Sequence, residues 1–74
     1  MITGVQIRMA RAALGLSVQE LSKMANINPN TVSRIENGHN ALGSTLVILE
    51  NNLTKAGIEF ITDNGSGVGV KIKK

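Results

Sequence analysis

The chain has 74 residues and a mass of 7.8 kDa, is 42% hydrophobic and carries a formal net charge of +3. That content argues against disorder throughout and leaves room for a single small core. With no cysteine, a lone histidine and only five carboxylates, the composition excludes disulfides and cysteine-zinc sites and offers no acid, base or metal-ligand cluster for an enzyme or a cofactor.

Thr3 opens the first predicted helix, which runs to Leu14. Thr3 and Gln6 have capping-box spacing, in which each side chain satisfies the other's free backbone N–H. Ile2 and Ile7 stand at the hydrophobic-staple positions on either side of that cap. Ile7, Ala10 and Leu14 fall on one face at helical spacing, while Arg8 and Arg11 point elsewhere. Gly15 supplies the stop.

The second helix is predicted from Ser17 to about Ala25, with Ser17 and Glu20 as capping box and Leu16 and Leu21 as staple. Val18, Leu21 and Ala25 share its inner face, and Asn26 suits the left-handed turn that ends a helix. The third helix runs from Asn28 to Asn37. Asn28 is the N-cap, Pro29 takes the first helical position, and Ile27 and Val32 form a third staple. Only Val32 and Ile35 are expected to look inward, so this is the most polar helix. Gly38 stops it.

A fourth helix is expected from near Ser44 to Ala56, closed by Gly57. Leu46, Leu49, Leu53 and Ala56 form its buried stripe, which Val47 and Ile48 widen beyond what a small bundle needs. The tail then changes character. Residues 58–62 are β-branched and aromatic, with Phe60 the one aromatic residue, and residues 63–67 are a turn cluster. Val68, Val70 and Ile72 alternate with Gly69, Lys71 and Lys73. A hairpin follows, and because two strands alone are marginal in water, it must pack on the helices or pair with another chain. A core this small calls for a staple, and without cysteine the candidate is a second copy of the chain.

The second and third helices, joined by a short turn, make a helix-turn-helix candidate. The chain resembles the Cro and repressor family of helix-turn-helix DNA-binding domains, the xenobiotic-response-element type. The resemblance rests on Ile7-Arg8-x-x-Arg11-x-x-x-Gly15-Leu16-Ser17, Glu20-Leu21, Ile27-x-x-x-Thr31-Val32-Ser33-Arg34-Ile35-Glu36-Asn37-Gly38 and Thr45-Leu46, and spans roughly residues 5–56. It implies a mainly α fold, a lambda-repressor-like domain of four to five helices, with a short C-terminal β-hairpin or dimerising strands. Residues 1–57 would form the DNA-binding domain and 58–74 a dimerisation tail.

A recognition helix sends its outward side chains into the major groove. Asparagine pairs bidentately with adenine and arginine with guanine, so Asn30 and Arg34 are the expected base readers, with Ser33 and Pro29 beside them. Gln19, Thr31, Asn37, Gly38, His39, Asn40 and Arg8 are the expected phosphate contacts, with Lys23 adding charge. The resemblance pairs Arg11 with Glu36 as a structural salt bridge. Three positions depart from the family pattern: Val18 replaces a glutamine that contacts phosphate, Asn26 a glycine, and Ala41 a proline. Residues 25–43 carry Arg34 and Glu36, whose charges cancel in the sequence.

The expected partner is double-stranded DNA. A homodimer reading an inverted repeat would use Phe60, Val68, Val70 and Ile72 in an intermolecular sheet, with apolar contact from Val47 and Ile48. The alternative is an antitoxin-like or antiactivator-like module whose β tail captures another protein. No apolar run approaches the roughly 18 residues of a membrane span, and the N-terminus lacks the order of a signal peptide. The expected location is therefore the cytoplasm, in association with the nucleoid, for a bacterial or phage- or plasmid-encoded protein.

Overall fold

Among the described residues, four helices follow one another: α1 (Gly4–Leu14), α2 (Val18–Ala25), α3 (Pro29–Glu36) and α4 (Gly43–Lys55). A two-stranded antiparallel hairpin, β1 (Ile58–Ile61) and β2 (Gly69–Ile72), comes after them. The computed structural model describes residues 2–62, 65 and 67–73, so most of the turn cluster at 63–67 lies outside the described residues.

Side chains set the helix ends. At α1 the Thr3 hydroxyl accepts from the Gln6 N–H at 3.3 Å, and the Gln6 Oε1 accepts from the Thr3 N–H at 3.0 Å. Ser17 and Glu20 repeat the pattern at α2, at 3.0 and 2.8 Å. The Asn28 Oδ1 accepts from the Asn30 N–H at 2.8 Å, and Pro29 occupies the first turn of α3, where no N–H is needed. Asn26 ends α2 in the left-handed region at φ 56°, the one non-glycine residue with positive φ among the described residues. Asparagine tolerates that conformation better than other side chains because its short amide bonds locally.

These caps also place the core. Ile7, Leu21 and Val32 each sit four residues past their cap, and each is fully buried. Around them close Ile2, Ala10, Ala25, Ile35, Leu49, Leu53 and Ile58, with Leu14, Val18, Ile27, Ala41, Leu46, Phe60 and Val70 packed against the cluster. The core is thus aliphatic apart from the flank of Phe60.

Two expectations need correction here. Helix α4 begins at Gly43 with no side-chain cap, and Ala56 is exposed rather than part of its stripe. Ala56 is the last residue before Gly57, whose φ of 108° swings the chain so that Ile58 takes the buried place instead. In α3, Glu36 is buried along with Val32 and Ile35. Val47 and Ile48 are 50% and 43% exposed, and the bundle does not use them.

The tail takes one of the two arrangements the sequence left open. The strands pair with each other, Ile58 opposite Ile72 and Phe60 opposite Val70, and they pack on their own helices, β1 on α4 and β2 on α1. Phe60 and Val70 are partly buried against the core of their own chain. Gln6 fixes the hairpin in place. Its side chain is 1% exposed, and its Nε2 donates to the Ile61 carbonyl at 2.8 Å and the Gly69 carbonyl at 3.1 Å, one from each strand. The same amide caps α1 through its oxygen. Both ends of one buried amide are satisfied, so it adds specificity at little desolvation cost.

Gln6→Glu tests this clamp. The carboxylate keeps the bond to the Thr3 N–H but turns a second oxygen toward two carbonyl oxygens. We expect a loss of about 2–4 kcal/mol at neutral pH by urea unfolding, partly regained in acid when the carboxyl can donate once. Equal stability of Gln6→Glu and the parent at neutral pH is the result that excludes the clamp.

Candidate nucleic-acid interface

Helix α3 has eight residues, too few to be stable alone, so its position depends on what grips it. The turn from α2 provides one grip: the Ile27 N–H donates to the Ser22 carbonyl at 3.0 Å, and Ile27 is half-buried against the core. Helix α1 provides the others. Gly4 lies so close to the end of α3 that a Cβ there would fall inside the Ile35 carbonyl oxygen. Glycine is the residue that permits this approach.

Arg11 makes the main polar grip. Its Nε and Nη2 donate to the two carboxylate oxygens of Glu36, each at 2.9 Å, and its Nη1 donates to the Leu16 carbonyl at 3.1 Å. One guanidinium therefore ties α1 to the end of α3 and to the turn before α2. The hydrogen bonds Arg11 donates to Glu36 hold its pKa above the ordinary value, against a smaller opposing effect of burial. Arg8 adds a weaker contact, its Nε 3.5 Å from the Glu36 carboxylate. The Glu36 side chain is 3% exposed, so its charge is enclosed. The cancellation of Arg34 by Glu36 in the sequence does not occur at the surface, because Glu36 is neutralised from the inside.

With its inner side held, α3 leaves Pro29, Asn30 and Arg34 exposed and Ser33 and Thr31 half-buried. Among the described residues, neither the Arg34 guanidinium nor the Asn30 side chain has a hydrogen-bond or ion-pair partner. Gln19 and Lys23 of α2 line a groove of about 460 Å³ with Asn28 and Pro29. A second groove, of about 310 Å³, brings Thr31 and Arg34 together with Asn40, Leu42 and Thr45. The sequence reading did not single out Thr45 or Leu42 as site residues. Leu42, 74% exposed at the start of a helix it cannot cap, is an unusual apolar residue and was the available signal.

Past α3, Asn37, Gly38, His39 and Asn40 are all exposed, and they border a cavity of about 710 Å³ with Thr3 and Arg8. Gly38 takes φ 91° to turn the chain there. Arg8 places its guanidinium against the end of α3: its Nη2 donates to the Glu36 carbonyl at 3.2 Å and the Asn37 Oδ1 at 2.9 Å. Val18, which replaces the usual glutamine, packs half-buried on the core.

Residues 7–58, well over half of the chain, match the family described as helix-turn-helix, of the Cro/C1 type. The chain belongs to the Cro/C1-type helix-turn-helix family. No curated protein matches it. As a Cro/C1-type domain it is a DNA-binding regulator domain, with α2 and α3 as the helix-turn-helix pair. Its family is generally non-enzymatic. No helix among the described residues is long and apolar enough to cross a membrane, and no group of three acidic, histidine or cysteine side chains there could hold a metal.

Two measurements check this frame. Glu36→Gln keeps the shape but leaves Arg11 without its counter-charge. It should cost about 2–3 kcal/mol in urea unfolding, and a change under about 0.5 kcal/mol, the usual scatter of surface substitutions, rules out the brace. At the start of α2, the backbone N–H and then the hydroxyl of Ser17 hold the Glu20 carboxyl below its usual range. A carboxyl with a lowered folded pKa stabilises the fold above its unfolded pKa and loses that contribution as pH falls through the folded one. Glu20→Gln retains an acceptor but does not titrate, so the stability of this variant should fall less than the parent's on acidification. An identical acid slope excludes the contribution.

Proposed function

We propose that the protein is a homodimeric transcriptional repressor of the cytoplasm that reads an inverted repeat in double-stranded DNA through the major groove. The observation that supports this best is the pair Asn30 and Arg34. Both are exposed on α3 and free of protein partners among the described residues, while α3 is gripped from its opposite side. Asn30 reads adenine and Arg34 guanine, with Ser33 and the apolar face of Pro29 against neighbouring base edges. Gln19, Thr31, Asn37, Gly38, His39 and Asn40 hold phosphates on either side and set the register of α3 on the duplex. The enclosed charge of Glu36 leaves Arg34 as the charge α3 carries at its surface, which suits an anionic partner.

One such domain covers too little duplex for tight specific binding, so two copies on half-sites about one helical turn apart are proposed. Residues 58–74 are the proposed dimerisation element. Val68 and Ile72 of the tail, 37% and 44% exposed, and Val47 and Ile48 of α4 are the apolar side chains left for the contact. They would serve equally in an antitoxin-like or antiactivator-like module that binds another protein.

Selection of duplexes from a random pool discriminates between these readings. A palindromic motif is expected. Asn30→Ala and Arg34→Ala should each cost about 1–3 kcal/mol on the selected site and relax one base-pair position per half-site. Salt-sensitive binding that enriches no motif would exclude sequence reading and favour the protein-binding module.

A further inference from the structure

Arg8 projects from α1 to the end of α3, where its Nη2 and Nε meet Glu36 and Asn37 while the side chain stays 53% exposed. Nη2 carries two hydrogens. One goes to the Glu36 carbonyl at 3.2 Å, among the last carbonyls of α3, which lack a partner within the helix. The other goes to the Asn37 Oδ1 at 2.9 Å. The Nε lies 3.5 Å from the Glu36 carboxylate, so the Arg8 charge is partly offset.

The chemistry of the partner fixes the orientation of the Asn37 amide. A guanidinium donates and never accepts, so the oxygen end of the amide must face Arg8; the flipped amide would set donor against donor. The Nδ2 end then has no partner among the described residues, on a residue that is itself exposed. Two N–H groups are presented together beside the Gly38 turn. Fixed donors of this kind suit an anionic oxygen, and a freely rotating amide would present its oxygen half of the time.

We propose that Arg8 is a positioning residue: it holds the Asn37 side chain with its N–H₂ end outward, so that Asn37 donates to a DNA phosphate. The proposal rests on the DNA-binding reading for the phosphate and on the Arg8–Asn37 geometry for the orientation. Arg8 itself touches no phosphate. It acts through Asn37 and has no separate share in affinity.

A double-mutant cycle on a short mixed-sequence duplex tests this, since phosphate contacts do not depend on base sequence. Arg8→Ala and Asn37→Ala should each weaken binding about 3- to 10-fold, the worth of one lost hydrogen bond. The double variant should be no weaker than Asn37→Ala alone. The dependence of log affinity on log salt should keep its slope in Arg8→Ala, whereas loss of a direct cation–phosphate contact lowers that slope by about 0.9. Thermal melts of each variant identify any loss of fold. If the two losses multiply in the double variant, Arg8 acts independently of Asn37 and the proposal is overturned. A reduced salt slope overturns it in favour of direct phosphate contact, and an effect of Arg8→Ala without one of Asn37→Ala overturns it in favour of bracing alone.

The orientation has its own readout, free of DNA. The Asn37 side-chain amide should show one fixed rotamer by NMR in the parent and averaging in Arg8→Ala. An amide that averages already in the parent, or stays fixed in the variant, overturns the positioning. If the parent binds no duplex even at low salt, the DNA reading fails and takes the phosphate role of Asn37 with it. A fixed amide in that protein identifies the failure as that of the DNA reading, with the Arg8–Asn37 geometry intact.

Discussion

Glu36 turns its carboxylate away from solvent and toward Arg11, and the pose of α3 depends on that choice. An enclosed carboxylate is costly unless its counter-charge and hydrogen bonds are complete. Here both oxygens receive a donor at 2.9 Å, and the donor is a planar fork that fixes direction as well as distance. Lysine in place of Arg11 would supply charge without the fork. Because the pair sits at the end of α3, it sets the helix's tilt while Val32 and Ile35 set its depth. The close approach of Gly4 to Ile35 limits the same joint from the other direction. A short polar helix is in this way made rigid from one side, leaving the other side free for contact.

Helix α1 is the frame for both ends of the chain. Gln6 reaches the hairpin, Ile7 and Ala10 the core, and Arg8 and Arg11 the end of α3. Helical spacing distributes these roles around one cylinder, with no residue serving opposite directions. The frame also shows how a chain with one aromatic residue remains ordered. Ten small and aliphatic residues form the buried cluster, and two satisfied polar joints, the Gln6 amide and the Arg11–Glu36 pair, fix what that cluster leaves loose. Polar joints of this sort specify one arrangement, because any slip leaves buried donors or acceptors unmet.

The exposed groups follow from the same arrangement. Arg34 is a net positive charge on the surface of α3 only because Glu36 is spent inside. Asn37 has a definite amide orientation only because Arg8 lies against it. Val18 packs half-buried on the core, and Gln19 and Lys23 beside it on α2 are exposed.

The sequence by itself determined the helix ends, the staples and the hairpin. Capping boxes, left-handed stops and a period-two tail are local: they act between residues three to five positions apart, or between adjacent strands, and can be read along the chain. Asn30, Ser33 and Arg34 read as the outward set for the same reason, since an N-cap and two inward residues fix the phase of a short helix; the fold exposes Asn30 and Arg34 and half-buries Ser33. Only the tertiary structure decided the rest. The second end of the Gln6 amide meets carbonyls 55 and 63 residues away, and no local pattern records such a distance. The same holds for Ala56 giving its buried place to Ile58, for the hairpin covering its own helices, and for Arg8 reaching Asn37. Glu36 shows the difference most sharply. Counted along the chain its charge cancels that of Arg34. In the fold it is enclosed by arginines of another helix, and α3 presents its remaining charge outward.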